Sequence, residues 1–236
     1  MGFEQHYRAL LEEVANCCEA CGRSAEEVRL IAVSKTVDID AVKLAASAGA
    51  CDFGENRPEE LARKQEQFPA LNWHFIGNIQ SRRIPEIVAH ARLIHSLFQP
   101  HHIGAIEQAA SALGKVQDVL LEVNVSGEES KDGLAASEVA SMLEQCGEAP
   151  HIRVCGLMTM APQGDAALAR ETFEGLAELA ATLRQRFGTA PVGQDLHDLS
   201  MGMSEDWREA IAAGATMIRL GRVVFDESFQ LKAEGL

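Results

Sequence analysis

Eight short apolar runs, each separated from the next by a stretch of helical spacing, constrain the fold of this chain more than any other feature. The runs are VRLIAVSK, CDFGEN, WHFIGN, RLIHSLF, DVLLEVNVS, IRVCGLMTM, DLHDLSMG and TMIRLGRVVF. Between them the spacing predicts helices that include Asp38–Ala48, Pro58–Gln67, Ile84–Ala91 and Ala167–Phe187. Asp38 or Asp40 caps one of these, and Gly114 and Gly214 stand where helices should end. Runs rich in Val, Ile and Leu read as strands buried on both faces, the habit of parallel strands covered by helices. Eight strand–helix units in 236 residues predict an α/β fold, a closed (β/α)8 TIM barrel. An extra amphipathic helix over residues 1–24 precedes it, packed on the barrel. A doubly wound open sheet is the competing arrangement, but the Gly-rich turn after its first strand is missing. No linker or low-complexity stretch interrupts the pattern, so residues 1–236 are expected to form a single domain.

Charge narrows the range of partners. A formal net charge of −14 argues against a nucleic-acid or anionic-membrane surface, so any bound anion needs a locally positive pocket. No apolar run approaches bilayer length, and MGFEQHYRALLEEVANC carries acids where an export signal would be basic and then apolar. A cytoplasmic address is expected. Cys17, Cys18 and Cys21 lie close together while Cys51, Cys146 and Cys155 are scattered. Without a second Cys/His pair at zinc spacing they read as reduced thiols, and His90, His95, His151 and His197 likewise show no metal pattern. No apolar stripe marks an interface, which favours a monomer.

Chemistry in such barrels gathers at the carboxyl ends of the strands. That rule selects Lys35, Glu55 and Asn56, Gly77 and Asn78, Asn124, Met158 and Thr159, Ser200 to Ser204, and Arg219 to Arg222. On the last strand, alternation sends Thr216, Ile218 and Leu220 outward and Met217, Arg219 and Gly221 inward. A guanidinium inside a barrel needs a partner, and an internal ion pair with a carboxylate is the plain reading. Ser204 reads as the N-cap of a helix whose free N–H groups form an anion site, and Gly221 lets the backbone approach a ligand. Closure of the barrel sets strand 8 beside strand 1, so Lys35, Arg219, the Ser204 loop and Asn56 form one arc. A desolvated lysine beside another cation loses its proton readily and attacks carbonyls. Lysine, arginine and a phosphate cradle together meet the needs of pyridoxal 5′-phosphate: a Schiff base, a pyridine-nitrogen partner and an anion hole. A cofactor-free Schiff-base aldolase would use the same lysine and anion site on a phosphorylated sugar, and a purely structural barrel would use neither. On the residues alone these alternatives stay open.

The stretches AVSK, FGEN, WHFIGNIQSRR, NVSGEESKDGL, GLMTM and LSMGMSEDWREAIAAGATMIRLG resemble the pyridoxal phosphate homeostasis proteins, which are similar to the barrel domain of bacterial alanine racemase. The resemblance runs from about residue 25 to residue 225. It implies a Schiff base on Lys35, phosphate contacts from Ser204, Gly221 and the backbone at Arg222, Arg219 near the pyridine nitrogen and Asn56 near the ring hydroxyl. Ser200 belongs to the same binding segment. It further implies a part in intracellular cofactor (vitamin B6) homeostasis or transfer, with transient contact to enzymes that use the cofactor and without substantial turnover. Where many relatives have Thr after RLG, this chain has Arg222, which either adds a charge-assisted phosphate contact or turns to solvent. An arginine beside the pyridine nitrogen disfavours its protonation, which suits storage or racemisation better than transamination. The single tyrosine, Tyr7, lies in the N-terminal helix, so the second acid–base group of a two-base racemase is missing.

Overall fold

Eight parallel strands close on themselves in a computed structural model that describes residues 2–128, 131–188, 195–226 and 229. They are β1 (Arg29–Val33), β2 (Asp52–Glu55), β3 (Asn72–Phe75), β4 (Leu93–Leu97), β5 (Gln117–Glu122), β6 (Ile152–Met158), β7 (Asp198–Ser200) and β8 (Met217–Leu220). Strands pair in chain order, and β8 returns to β1 with Ile31 opposite Arg219. Helix α1 (Phe3–Ala20) precedes the barrel. One helix then follows each strand: α2 (Ile39–Ser47), α3 (Pro58–Gln67), α4 (Ile84–His90), α5 (His102–Ala112), α6 (Val139–Gly147), α7 (Ala166–Phe187), α8 (Trp207–Ala212) and α9 (Arg222–Phe225).

Alternation along the strands divides the apolar residues into two cores. Ile31, Leu93, Leu120, Met158 and Met217 pack together inside the barrel. Phe53, Trp73, Phe75, Ile218 and Leu220 face outward and pack under the helices. The outward and inward sets expected for β8 are therefore the ones observed. Helix α2 is capped by Asp38, whose carboxylate accepts from the Ala41 N–H at 3.0 Å, and Asp40 sits in the first turn. Gly114 and Gly214 follow α5 and α8 with positive φ, as helix-terminating glycines should.

Every strand ends before the run that announced it, and at two of them the early end bears on the site. β1 stops at Val33, so Lys35 lies on a turn, and β8 stops at Leu220. The VVF segment expected to continue β8 instead forms α9, where the amides of Val224 and Phe225 turn back to the Gly221 carbonyl. Burial of Val223 and Val224 is satisfied as well by one helical turn as by a strand, and an apolar run alone does not distinguish them. The first helix is fastened to this turn. His6 donates its Nε2–H to the Val223 carbonyl at 2.6 Å, and the Phe3 ring packs against Tyr7 and Phe225. All six cysteines are free, and no described helix is long and apolar enough to cross a membrane.

Candidate functional site

Register places the predicted residues in an arc at the carboxyl ends of the strands, but at different depths. Val33 pairs with Gly54, which sets Asn56 level with Lys35; both are exposed. Arg219 pairs with Ile31, four residues before Lys35, and is buried at 5 % exposure. The desolvated lysine expected from the sequence is absent: Lys35 makes no hydrogen bond or ion pair among the described residues. The cause is the early end of β1, after which the Val37 N–H turns back to the Ser34 carbonyl at 3.1 Å and lifts Lys35 out of the wall.

That turn is held by a residue the sequence did not mark. Lys64 of α3 is 1 % exposed and donates to the carbonyls of Ser34 at 2.8 Å and Val37 at 2.9 Å. It also donates to Glu55 Oε1 at 2.6 Å, which accepts in addition from the Ser34 hydroxyl at 2.6 Å. The two carbonyls bracket Lys35 and Thr36, so one buried ammonium fixes both ends of the lysine-bearing turn. Glu55 serves this clamp on the outside of the barrel and does not face the site.

Arg219 has no ion-pair partner among the described residues, so the internal salt bridge expected for it is not formed. Its guanidinium donates instead to Ser200 Oγ at 2.7 Å and to the Thr159 carbonyl at 3.1 Å. Burial lowers its pKa to about 10, partly offset by the charges of Glu122 and Asp206. Glu122, at the inner end of β5, is pushed up to about 7 by burial, against the opposing pull of Arg219 and with Asp132 adding to the rise. Ser200 lies beneath the arc, fully buried, with its oxygen already engaged by Arg219 and by His95.

The segment after β7 differs from its sequence reading. Ser204 is not an N-cap. Gly202 takes φ +90, where an added Cβ would also lie 2.6 Å from Ala210 Cβ. Asp206 then accepts from the Met203 N–H at 2.5 Å, making a turn that delays the helix to Trp207. Ser204 Oγ accepts from the Val223 N–H at 3.4 Å, which ties the loops after β7 and β8 and leaves its hydroxyl hydrogen free to donate. At Gly221 a Cβ would meet only Val33, at ordinary contact distances of 3.5 Å and more, so this glycine keeps a surface bare rather than relieving a clash. Arg222 turns to the solvent side, paired with Glu205 at 2.7 Å and lying over the Phe229 ring.

Around the rim, the loops are braced by amides. Asn78 donates to Asp132 at 3.0 Å, and Asn124 organises the loop after β5 through the carbonyls of Glu128 and Lys131. Gly77 admits the close approach of the loops after β2 and β3, because a Cβ there would sit 2.1 Å from the Asn56 carbonyl oxygen. Gly77→Ala is expected to lower stability by about 1–3 kcal/mol, read from the urea midpoint, because the Asn56 backbone must move. Beside the arc lies a cavity of about 310 Å³ lined by Asn56, Arg57, Asn78, Gln80, Arg82 and Arg83. Its three arginines outnumber its one acid, Glu59, which pairs with Arg83 at 3.0 Å, and it shares only Asn56 with the arc. No group of three or more His, Cys, Asp or Glu placed to hold a metal ion occurs among the described residues.

Residues 8–228 match the family of alanine racemase N-terminal domains. The pyridoxal phosphate homeostasis protein of Aquifex aeolicus is 36% identical over 221 residues, covering 92% of this chain and 95% of that protein. Among solved structures, a protein from Bifidobacterium adolescentis superposes with a TM-score of 0.88 at 31% identity, covering 94% of each chain. PipY of Synechococcus elongatus PCC7942, in a structure with the cofactor bound, is 32% identical with a TM-score of 0.83, covering 95% of this chain and all of that one. With its closed barrel and its mouth of lysine, buried arginine and glycine-bordered loops, the chain belongs to the pyridoxal phosphate homeostasis protein family, within the alanine racemase N-terminal domain fold.

Proposed function

We propose that this protein binds pyridoxal 5′-phosphate at the barrel mouth, as a Schiff base on Lys35, and serves cofactor homeostasis or transfer without substantial turnover. The observation that carries this reading is Arg219, a buried guanidinium without a carboxylate within ion-pair distance among the described residues, placed below an accessible lysine. A ring nitrogen with a lone pair is the acceptor such a group lacks. The donor set fits the whole cofactor: the free Ser204 hydroxyl, Gly221 and the Arg222 backbone for the phosphate, Asn56 for the ring hydroxyl, and Arg219 for the ring nitrogen. Ser200 acts through Arg219 rather than by touching the ligand. Lys35 would hold the cofactor through its amine, and the bound group would supply the aldehyde that this amine can attach to. PipY, one third identical, is known with the cofactor bound, which supports the same reading here.

One observation supports a second reading. Glu122 faces the barrel interior with a pKa near 7, a value suited to proton transfer, so racemase-type turnover would use this group. Tyr7 offers no such service: it is packed in the core, and burial pushes its phenol up to about 12. The carrier reading predicts no inversion of L-alanine at enzyme-like rates by the loaded protein.

The test is the visible absorption of the protein with added cofactor, for wild type and Lys35→Ala. A band that borohydride bleaches, present in wild type and missing in the variant, is the expected result. No band in either protein would overturn the cofactor reading, and inversion abolished by Glu122→Gln would replace the carrier with an enzyme.

A further inference from the structure

Below the arc, a line of buried polar groups crosses the barrel from one end to the other. Asp52, the first residue of β2, stands at the amino end. Its Oδ1 is 3.0 Å from His74 Nε2 on β3. His74 Nδ1 is 2.9 Å from His95 Nε2 on β4, and His95 Nδ1 is 2.9 Å from Ser200 Oγ. Ser200 in turn accepts from Arg219 at 2.7 Å. His74, His95 and Ser200 are at most 1 % exposed.

The two ends set the direction of the whole chain. A guanidinium only donates and a carboxylate only accepts. Burial, though it works against the Asp52 anion, is outweighed by the His74 hydrogen bond and the charge of Arg29, which hold its pKa below the usual value. His74 must therefore carry its proton on Nε2, leaving Nδ1 to accept from His95 Nε2–H. His95 Nδ1 is then an acceptor, and it takes the Ser200 hydroxyl hydrogen. The opposite tautomers would set a bare His74 nitrogen against the Asp52 carboxylate. A charged His95 is disfavoured first by burial and then by the nearby charges of Arg219 and Arg29, which push its pKa well below the ordinary histidine value.

We infer that Asp52, His74 and His95 are positioning residues: a one-way hydrogen-bond chain that fixes Ser200 as an acceptor and holds the Arg219 guanidinium in orientation towards the bound ring. With its NH1 committed to Ser200 and its NH2 to Thr159, the guanidinium cannot swing, and its remaining N–H groups are left for the ligand. The positioning role rests on the cofactor reading above; the direction of the chain does not.

The experiment therefore has two arms. In ligand-free protein labelled with 15N-histidine, the ring nitrogens of His74 and His95 are expected to show neutral Nε2–H rings near neutral pH. Asp52→Asn is expected to move the ring signals of His95, which Asp52 does not touch. An Nδ1–H or charged ring at either position, or His95 signals indifferent to Asp52→Asn, would overturn the chain. In the second arm, cofactor affinity is measured for wild type, His95→Leu and His95→Asn, with the thermal midpoint of each. His95→Leu is expected to weaken binding about tenfold, the scale of one lost hydrogen bond. His95→Asn, whose carboxamide oxygen stands near the former Nδ1, is expected to recover most of that loss even where its melting point does not recover. Equal affinities for Leu and wild type, or an Asn variant as weak as Leu, would overturn the positioning role. Wild-type protein that takes up no cofactor would overturn the cofactor reading and the positioning role with it, while the first arm would still decide the direction of the chain.

Discussion

Lys64→Met is expected to lower the unfolding free energy by about 3–5 kcal/mol, the loss typical when one partner of a buried ion pair is removed. The ammonium is 1 % exposed and saturated by three acceptors, and its removal leaves the Glu55 carboxylate buried with only the Ser34 hydroxyl as donor. The carbonyls of Ser34 and Val37 lose their donor at the same time. A double variant, Lys64→Met with Glu55→Leu, removes both charges and is expected to regain much of the stability. It should not regain cofactor uptake, because nothing then fixes the turn that carries Lys35. Urea unfolding alongside the absorption titration separates the two effects. A double variant that binds like wild type would show that the clamp serves stability alone.

Glu122 provides the second large effect, one that depends on pH. Its folded pKa of about 7 lies above the ordinary carboxyl value of 4.5, so the folded protein retains a proton that the unfolded chain releases. Its contribution is present in full below the unfolded value and is lost as the pH rises through about 7. At 1.36 kcal/mol per pKa unit, wild type is expected to lose about 3 kcal/mol more than Glu122→Gln between about pH 4 and pH 8. Groups common to both proteins cancel in the difference. Parallel stability–pH curves for the two would mean that Glu122 is ionised in the folded state at ordinary carboxylate pH.

The architecture was legible because it rests on local pattern. Residues such as Ile31 and Met217 announce an interior, and Ile218 and Leu220 an outer face, by period alone. The same alternation turned Arg219 inward correctly. What pattern could not supply was the identity of its partners, since Ser200 and Thr159 come from other strands and the expected carboxylate is missing. Lys64 was hidden for a similar reason. It stands in PEELARKQEQ, a helix that reads as solvated, and its burial depends on Glu55 and on carbonyls some 30 residues away. Its sequence signal was slight: a lysine three residues after Leu61, on the buried face of α3. His95 had no sequence feature pairing it with strands β3 and β7. Ser204 failed as a cap because the turn closed by Asp206 on the Met203 amide delays the helix to Trp207, and the Ser204 oxygen accepts from the Val223 amide instead.

The seam between β1 and β8 has a consequence for the nascent chain. The first strand emerges from the ribosome almost 190 residues before its partner, Ile31 before Arg219. Until β8 arrives, β1 and β7 each present an unpaired backbone edge, the kind of surface that recruits other chains. Closure is thus a long-range event that comes after most of the protein has been made, and a messenger cut short before Met217 would encode a sheet with two sticky rims instead of a barrel.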